Sequence, residues 1–189
     1  ISKYKASRQN PLENTSKDGY LKALDYAVIS KNNILICSIY NDLGIYYVIK
    51  EQDLQTAKKY FDKSLDLANK IEHTGASKAM QFYCYSNIGS FYTNTNAPKE
   101  ALKYYNLGLS KVSKDDHYFL CSFNNNIGTV YVKLGDYKTA LKHHKIAESY
   151  SIDKGITSGQ KTQILTNISE TYEKLNQFEH LIKQANKLV

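Results

Sequence analysis

Tryptophan is absent from this 189-residue chain, and arginine occurs once, at Arg8. The other cations are lysines, which lack the planar fork that reads guanine and phosphate, so sequence-specific nucleic-acid recognition is not expected. The formal net charge is +7, with 25 basic and 18 acidic residues. It is spread evenly along the chain with no basic arm, which reads as solvated helix faces. Two prolines and nine glycines are too few for a many-stranded β protein. The longest apolar stretch, Ile34 to Tyr40, falls far short of the roughly 20 residues of a membrane span, so membrane insertion is not expected. Three cysteines (Cys37, Cys84, Cys121) lack C-x-x-C spacing and are odd in number. They form neither a disulfide framework nor a zinc site; buried thiols in a reducing, cytoplasmic setting are expected. No H-E-x-x-H, P-loop, G-x-S-x-G or Gly-rich dinucleotide loop is present. His143 and His144 are adjacent, hence about 100° apart on a helix, and chelate poorly. No enzyme activity, metal or cofactor is expected.

What is present is a globular composition, 42% apolar and 23% charged, with 17 tyrosines. The chain begins at Ile1 and its helical pattern continues to Val189, so it reads as a fragment of a longer protein or a processed form. Four segments align with one another: Asp42-Leu-Gly-Ile-Tyr-Tyr47, Asn87-Ile-Gly-Ser-Phe-Tyr92, Asn126-Ile-Gly-Thr-Val-Tyr131 and Asn167-Ile-Ser-Glu-Thr-Tyr172. Each of the first three is followed by a polar turn and an alanine-centred helical segment, around Ala57, Ala101 and Ala140. The fourth such segment, near Leu181, is degenerate, and an unpaired one around Ala23 stands first. Gly44, Gly89, Gly128 and Ser169 fall where two helices come closest. Tyr47, Tyr92, Tyr131 and Tyr172 are expected to fill the wedge between successive helix pairs. Asp53 and Asp136 read as N-caps, and Pro98 suits a first helical position. The alanine spacings are 34, then 44 and 39. Part of the excess in the 44 is one extra residue near Lys50–Asp53.

These residues resemble the tetratricopeptide repeat (TPR) family over about residues 17–189, with Ile127-Gly128…Tyr131…Leu134-Gly135-Asp136-Tyr137…Ala140 the fullest match. The longer spacings resemble the ~40-residue versions of kinesin light chains and bacterial peptide-sensing regulators. The resemblance implies an all-α right-handed superhelix of about nine helices. Residues 1–16 would be weakly structured and 17–32 would form an orphan second helix. Repeats would follow at about 33–73, 76–114, 115–154 and 158–189. In such a superhelix the first helix of each pair lines a concave groove. The groove residues implied are Asn41, Asp42, Tyr83, Asn87, Ser90, Asn94, Asn125, Asn126, Thr129, Lys133, Asn167, Glu170 and Lys174. Asn87, Asn126 and Asn167 would form a ladder, each carboxamide pairing with the backbone of an extended peptide. The alternative is that they only cap neighbouring side chains or solvate the groove. The basic residues of the family's carboxylate clamp are missing, with Ser122 or Gln163 and Asn41 or Ser86 in their places, so chaperone C-termini are not expected. The implied function is a non-catalytic module that binds a protein or peptide within a larger bacterial protein. The alternative is a signal-peptide-responsive domain of a transcription regulator or sensor kinase, acting by conformational change or homodimerisation.

Overall fold

A computed structural model of the chain describes residues 16–71, 74–153 and 155–185. Every regular element among them is helical. In chain order these are α1 (Lys17–Ile29), α2 (Asn33–Tyr46), α3 (Leu54–Lys70), α4 (Gly75–Asn94), α5 (Pro98–Leu109), α6 (His117–Lys133), α7 (Tyr137–Tyr150) and α8 (Ser158–Ala185). The described residues thus hold eight α-helices where about nine were expected. The difference lies in the fourth repeat. A turn was expected between Tyr172 and Leu181, but α8 runs through this stretch unbroken. No proline or glycine interrupts Glu173–Leu181, so nothing there forbids the next helical turn. The expectation for residues 1–16 lies outside the described residues except for Ser16, which caps α1.

Capping side chains set the helix starts. Asn32, Asp53, Asp116 and Asp136 each accept from the backbone N–H three residues on, at 3.0–3.3 Å. Two starts are reciprocal boxes. Thr74 and Ser77 exchange backbone-to-hydroxyl bonds of 2.9 and 3.3 Å before α4. Before α8 the Thr157 N–H donates to Gln160 Oε1 at 3.0 Å and the Gln160 N–H to Thr157 Oγ1 at 3.3 Å. Pro98 opens α5 with no side-chain cap before it, where a missing N–H loses nothing. The extra residue of the first repeat has a structural counterpart. Tyr47–Glu51 forms a π-helical turn at the end of α2, the usual way a helix absorbs a single insertion.

The chain divides into two compact units, Ile1–Phe91 and Tyr92–Val189. In the first, α1 packs on α2 and α2 on α3. Its core holds Tyr20, Ala27, Ile36, Ile39 and Leu43 at one end, and Cys37, Ala68, Met80 and Cys84 at the other. In the second, α5 packs on α6, α6 on α7 and α7 on α8. Cys121, Ala147, Ile156, Ile164 and Ile168 form one of its clusters. The repeat glycines make room for rings of the following helix. A Cβ on Gly44 would lie 2.6 Å from the Phe61 ring, and one on Gly128 would lie 2.6 Å from His144. Three of the four repeat tyrosines do not simply fill a wedge: each stacks on an aromatic of the helix that completes its own pair. Tyr47 stacks on Tyr60 (5.5 Å, 15°), Tyr92 on Tyr104 (5.5 Å, 13°) and Tyr131 on His143 (5.7 Å, 9°).

Candidate functional site

The implied groove residues stand on α2, α4, α6 and α8; those on α2 and α4 lie in the first unit except Asn94, which with those on α6 and α8 lies in the second. Their surroundings differ sharply. Asn41 is only 4% exposed. Its amide nitrogen donates to Ser64 Oγ at 2.9 Å and to Cys84 Sγ at 3.1 Å, and its oxygen accepts from Asn87 Nδ2 at 3.3 Å. Both N–H bonds are therefore used inside the protein. Asn41 belongs to the core of the first unit and offers nothing to a ligand, which corrects the expectation for it. Burial decides this: one helical step separates it from the half-buried Asp42.

The second unit repeats the bridge with a different exposure. Asn167 Nδ2 donates to Asn125 Oδ1 at 2.9 Å, and Asn167 Oδ1 accepts from Gln163 Nε2 at 2.9 Å. Asn125 and Asn167 are both half-buried, so this bridge lies at the surface. The asparagines thus link successive first helices: Asn41 of α2 meets Asn87 of α4, and Asn125 of α6 meets Asn167 of α8. The expected ladder placed equivalent asparagines in a row. The pairing observed joins residues one step out of register. A repeat alignment cannot show that offset, because the rotation between neighbouring helices sets it.

The other candidates divide in the same way. Thr129 donates its hydroxyl to Asn125 O at 3.1 Å, within its own helix. Lys133 Nζ donates to Thr93 O at 2.8 Å, so the ammonium satisfies a carbonyl in the last turn of α4. Tyr83, Ser90 and Asn126 are half-buried, whereas Asn94, Glu170 and Lys174 are exposed. Sequence reasoning missed several buried polar residues. Ser64 donates to Cys37 O at 2.7 Å and Gln81 to Ala68 O at 2.9 Å. Asn124 donates to Leu120 O at 2.8 Å and accepts from His143 Nδ1 at 3.0 Å. Only the run Asn124-Asn125-Asn126 hinted at any of them.

The thiols and the histidine pair point away from chemistry at a surface. All three cysteines are buried. Burial pushes the Cys37 thiol up to about 12 and raises Cys84 and Cys121 as well, so all three stay protonated. His143 lies on the Tyr131 ring, whereas His144 is fully buried on Gly128. Among the described residues no group of three or more His, Cys, Asp or Glu is placed to hold a metal ion. A hollow of about 400 Å³ beside the α6 N-terminus is lined by Ser113, Asp115, Asp116, His117, Tyr118 and Asp153. There His117 Nδ1 lies 3.1 Å from Asp153 Oδ2. Asp153 is held below the usual carboxylate range, first by the Gly155 N–H and then by His117.

The family profile of the tetratricopeptide repeat matches residues 38–71, which run from α2 through the π-helical turn and α3. Residues 38–71 are a tetratricopeptide repeat, and the chain is an all-α helical-repeat protein. No curated protein matches the chain. A module of this class is a protein-interaction unit, generally a non-catalytic scaffold. No helix among the described residues is long and apolar enough to cross a membrane.

Proposed function

We propose that the chain binds an extended protein segment, and that in the second unit the binding face is the polar surface of α6 and α8 around Asn125, Asn126, Asn167 and Glu170. One observation carries this reading: the Asn125–Asn167 bridge is half-exposed, whereas Asn41 of the corresponding bridge is buried. A carboxamide holds two N–H donors and two lone pairs. The bridge uses one donor of Asn167 and one acceptor of Asn125, and Gln163 uses an acceptor of Asn167. The pair keeps further donors and acceptors at a surface made of short, mostly uncharged side chains. Such a surface suits the alternating N–H and C=O groups of an extended main chain. In the first unit Asp42, Tyr83, Asn87 and Ser90 supply a second polar face, without Asn41.

Affinity capture from lysate, with wild type and an Asn126→Ala/Asn167→Ala variant of unchanged melting temperature, tests the reading. A partner that wild type retains and the variant loses supports it. Equal retention by both overturns it and moves attention to the exposed lysines.

A further inference from the structure

Two of the helix pairs close by a ring set into a slot. In α2 and α3, the Tyr60 ring packs against Tyr47 at 5.5 Å and against Tyr40 at 6.0 Å. In α6 and α7, the His143 ring stacks on Tyr131, and its Nδ1 lies 3.0 Å from Asn124 Oδ1. The slot is the same three positions each time. Tyr40, Gly44 and Tyr47 stand at i, i+4 and i+7 on one face of α2, and so do Asn124, Gly128 and Tyr131 on α6. The knob is also a fixed position. Tyr60 and His143 each come three residues after the repeat alanine, Ala57 or Ala140.

Among the described residues one slot and one knob stand open. On α8 the slot positions are Leu165, Ser169 and Tyr172. Leu165 and Tyr172 are 55% and 43% exposed, and Ser169 is exposed too. On α1 the knob position is Tyr26, three residues after Ala23, and it is 70% exposed. Ile29, three residues further along that face, is 80% exposed. Each helix is held in its own unit by its other side. Tyr20 and Ala27 of α1 are buried with Ile36, Ile39 and Leu43 of α2. Ile164 and Ile168 of α8 are buried with Cys121 and Ala147.

We infer that the open knob and the open slot fit each other between copies of the chain. Tyr26 of one copy enters the Leu165–Ser169–Tyr172 slot of a second, and α1 covers that copy's α8 as α7 covers α6. The contact continues between chains the packing that closes the pairs within one. Side-chain size agrees. Gly44 and Gly128 lie beneath Phe61 and His144, but the residue of α1 in that register is Ala27, which asks for no glycine opposite, and α8 has Ser169 there. Charge agrees as well. Antiparallel docking of Tyr26 at Tyr172 carries Lys22, one turn before Tyr26, toward Glu173, and both are exposed. The interface is heterologous, so every copy presents both halves and chains add head to tail. This inference stands apart from the binding face around Asn125 and Asn167.

Complementation between two variants of the whole chain tests it. Tyr26→Glu blocks the knob and Ser169→Glu blocks the slot. Both positions are exposed, so neither change enters a core, and unchanged helical circular dichroism and melting temperature check this. Light scattering on size-exclusion fractions reads the mass. Wild type should exceed the mass of one chain and grow with concentration. Each variant alone should stay at one chain. Their equimolar mixture should reach twice the mass of one chain and stop there, because a single intact knob meets a single intact slot. Wild type that remains one chain at every concentration overturns the inference. Association of either variant alone also overturns it. A mixture that stays at one chain while wild type associates overturns the head-to-tail pairing, since like ends would then meet like.

Discussion

At the scale of single residues, the third repeat places a histidine where the first has Phe61. His144 is fully buried, and neither ring nitrogen has a hydrogen-bond partner. Burial, with a smaller push from His143, holds its pKa down at about 4. The sign of the pH effect follows. Below about pH 6.5 the unfolded chain binds a proton that the native ring refuses, so stability falls until about pH 4 and then levels off. The loss is about 3 kcal/mol in total. Urea midpoints should therefore drop between pH 7 and pH 4.5, and His144→Phe should flatten that slope. A slope unchanged by the substitution would assign the acid sensitivity elsewhere. The asparagines give a contrast at the same scale. Asn41→Ala removes a fully used amide from the core and should lower stability by about 1–3 kcal/mol in urea unfolding. Asn167→Ala, at a half-exposed bridge, should lower it by less than about 1 kcal/mol. Equal losses would contradict the different burial of the two bridges.

At the scale of elements, the turns decide how well the repeat closes. Gln52 sits at φ 54°, where a side chain is disfavoured, so Gln52→Gly should stabilise the first unit by about 1 kcal/mol. Gly135→Ala should destabilise the second by about 1 kcal/mol, although no atom lies within 4 Å of the added Cβ. Thermal unfolding of both variants checks the two signs; a shift in the same direction for both would refute the strain argument. Much of this was legible in the sequence. Asp53 and Asp136 cap because an acidic side chain followed by an amphipathic run has few other uses, and Pro98 admits little but a helix start. The end of the fourth repeat was not legible. By residue type Leu175-Asn176-Gln177 suits a turn as well as a helix, and α8 runs through it. The candidate site was legible only in part. Asn41, Asn87 and Asn125 are one residue type at related positions, and the rotation of one helix against the next decides which are buried.

At the scale of the whole molecule, the charge is a diffuse field rather than a site. A net +7 distributed evenly over lysines attracts polyanions without reading them. Any binding to a DNA duplex at low salt should be indifferent to sequence and lost by about 0.2 M salt. Fluorescence titration with two unrelated duplexes at several salt concentrations tests this, and retention of one duplex at high salt would refute it. The exposed pairs Lys58–Asp62 and Lys70–Asp66 fit this picture, since ion pairs at such positions add little and are screened by salt.

The three parallel ring stacks have an optical consequence. Without tryptophan, intrinsic ultraviolet emission comes chiefly from phenol rings, and five of the 17 tyrosines sit in the stacks that mark the joint between paired helices in successive repeats. Tyr47 and Tyr60, and likewise Tyr92 and Tyr104, hold two near-parallel chromophores in van der Waals range. Each such dimer couples its transition moments only while its hairpin is closed. The near-ultraviolet circular dichroism of the native chain therefore reports helix pairing directly. Replacing Tyr60 or Tyr104 by leucine, one at a time, would show which hairpin opens first, with no label attached.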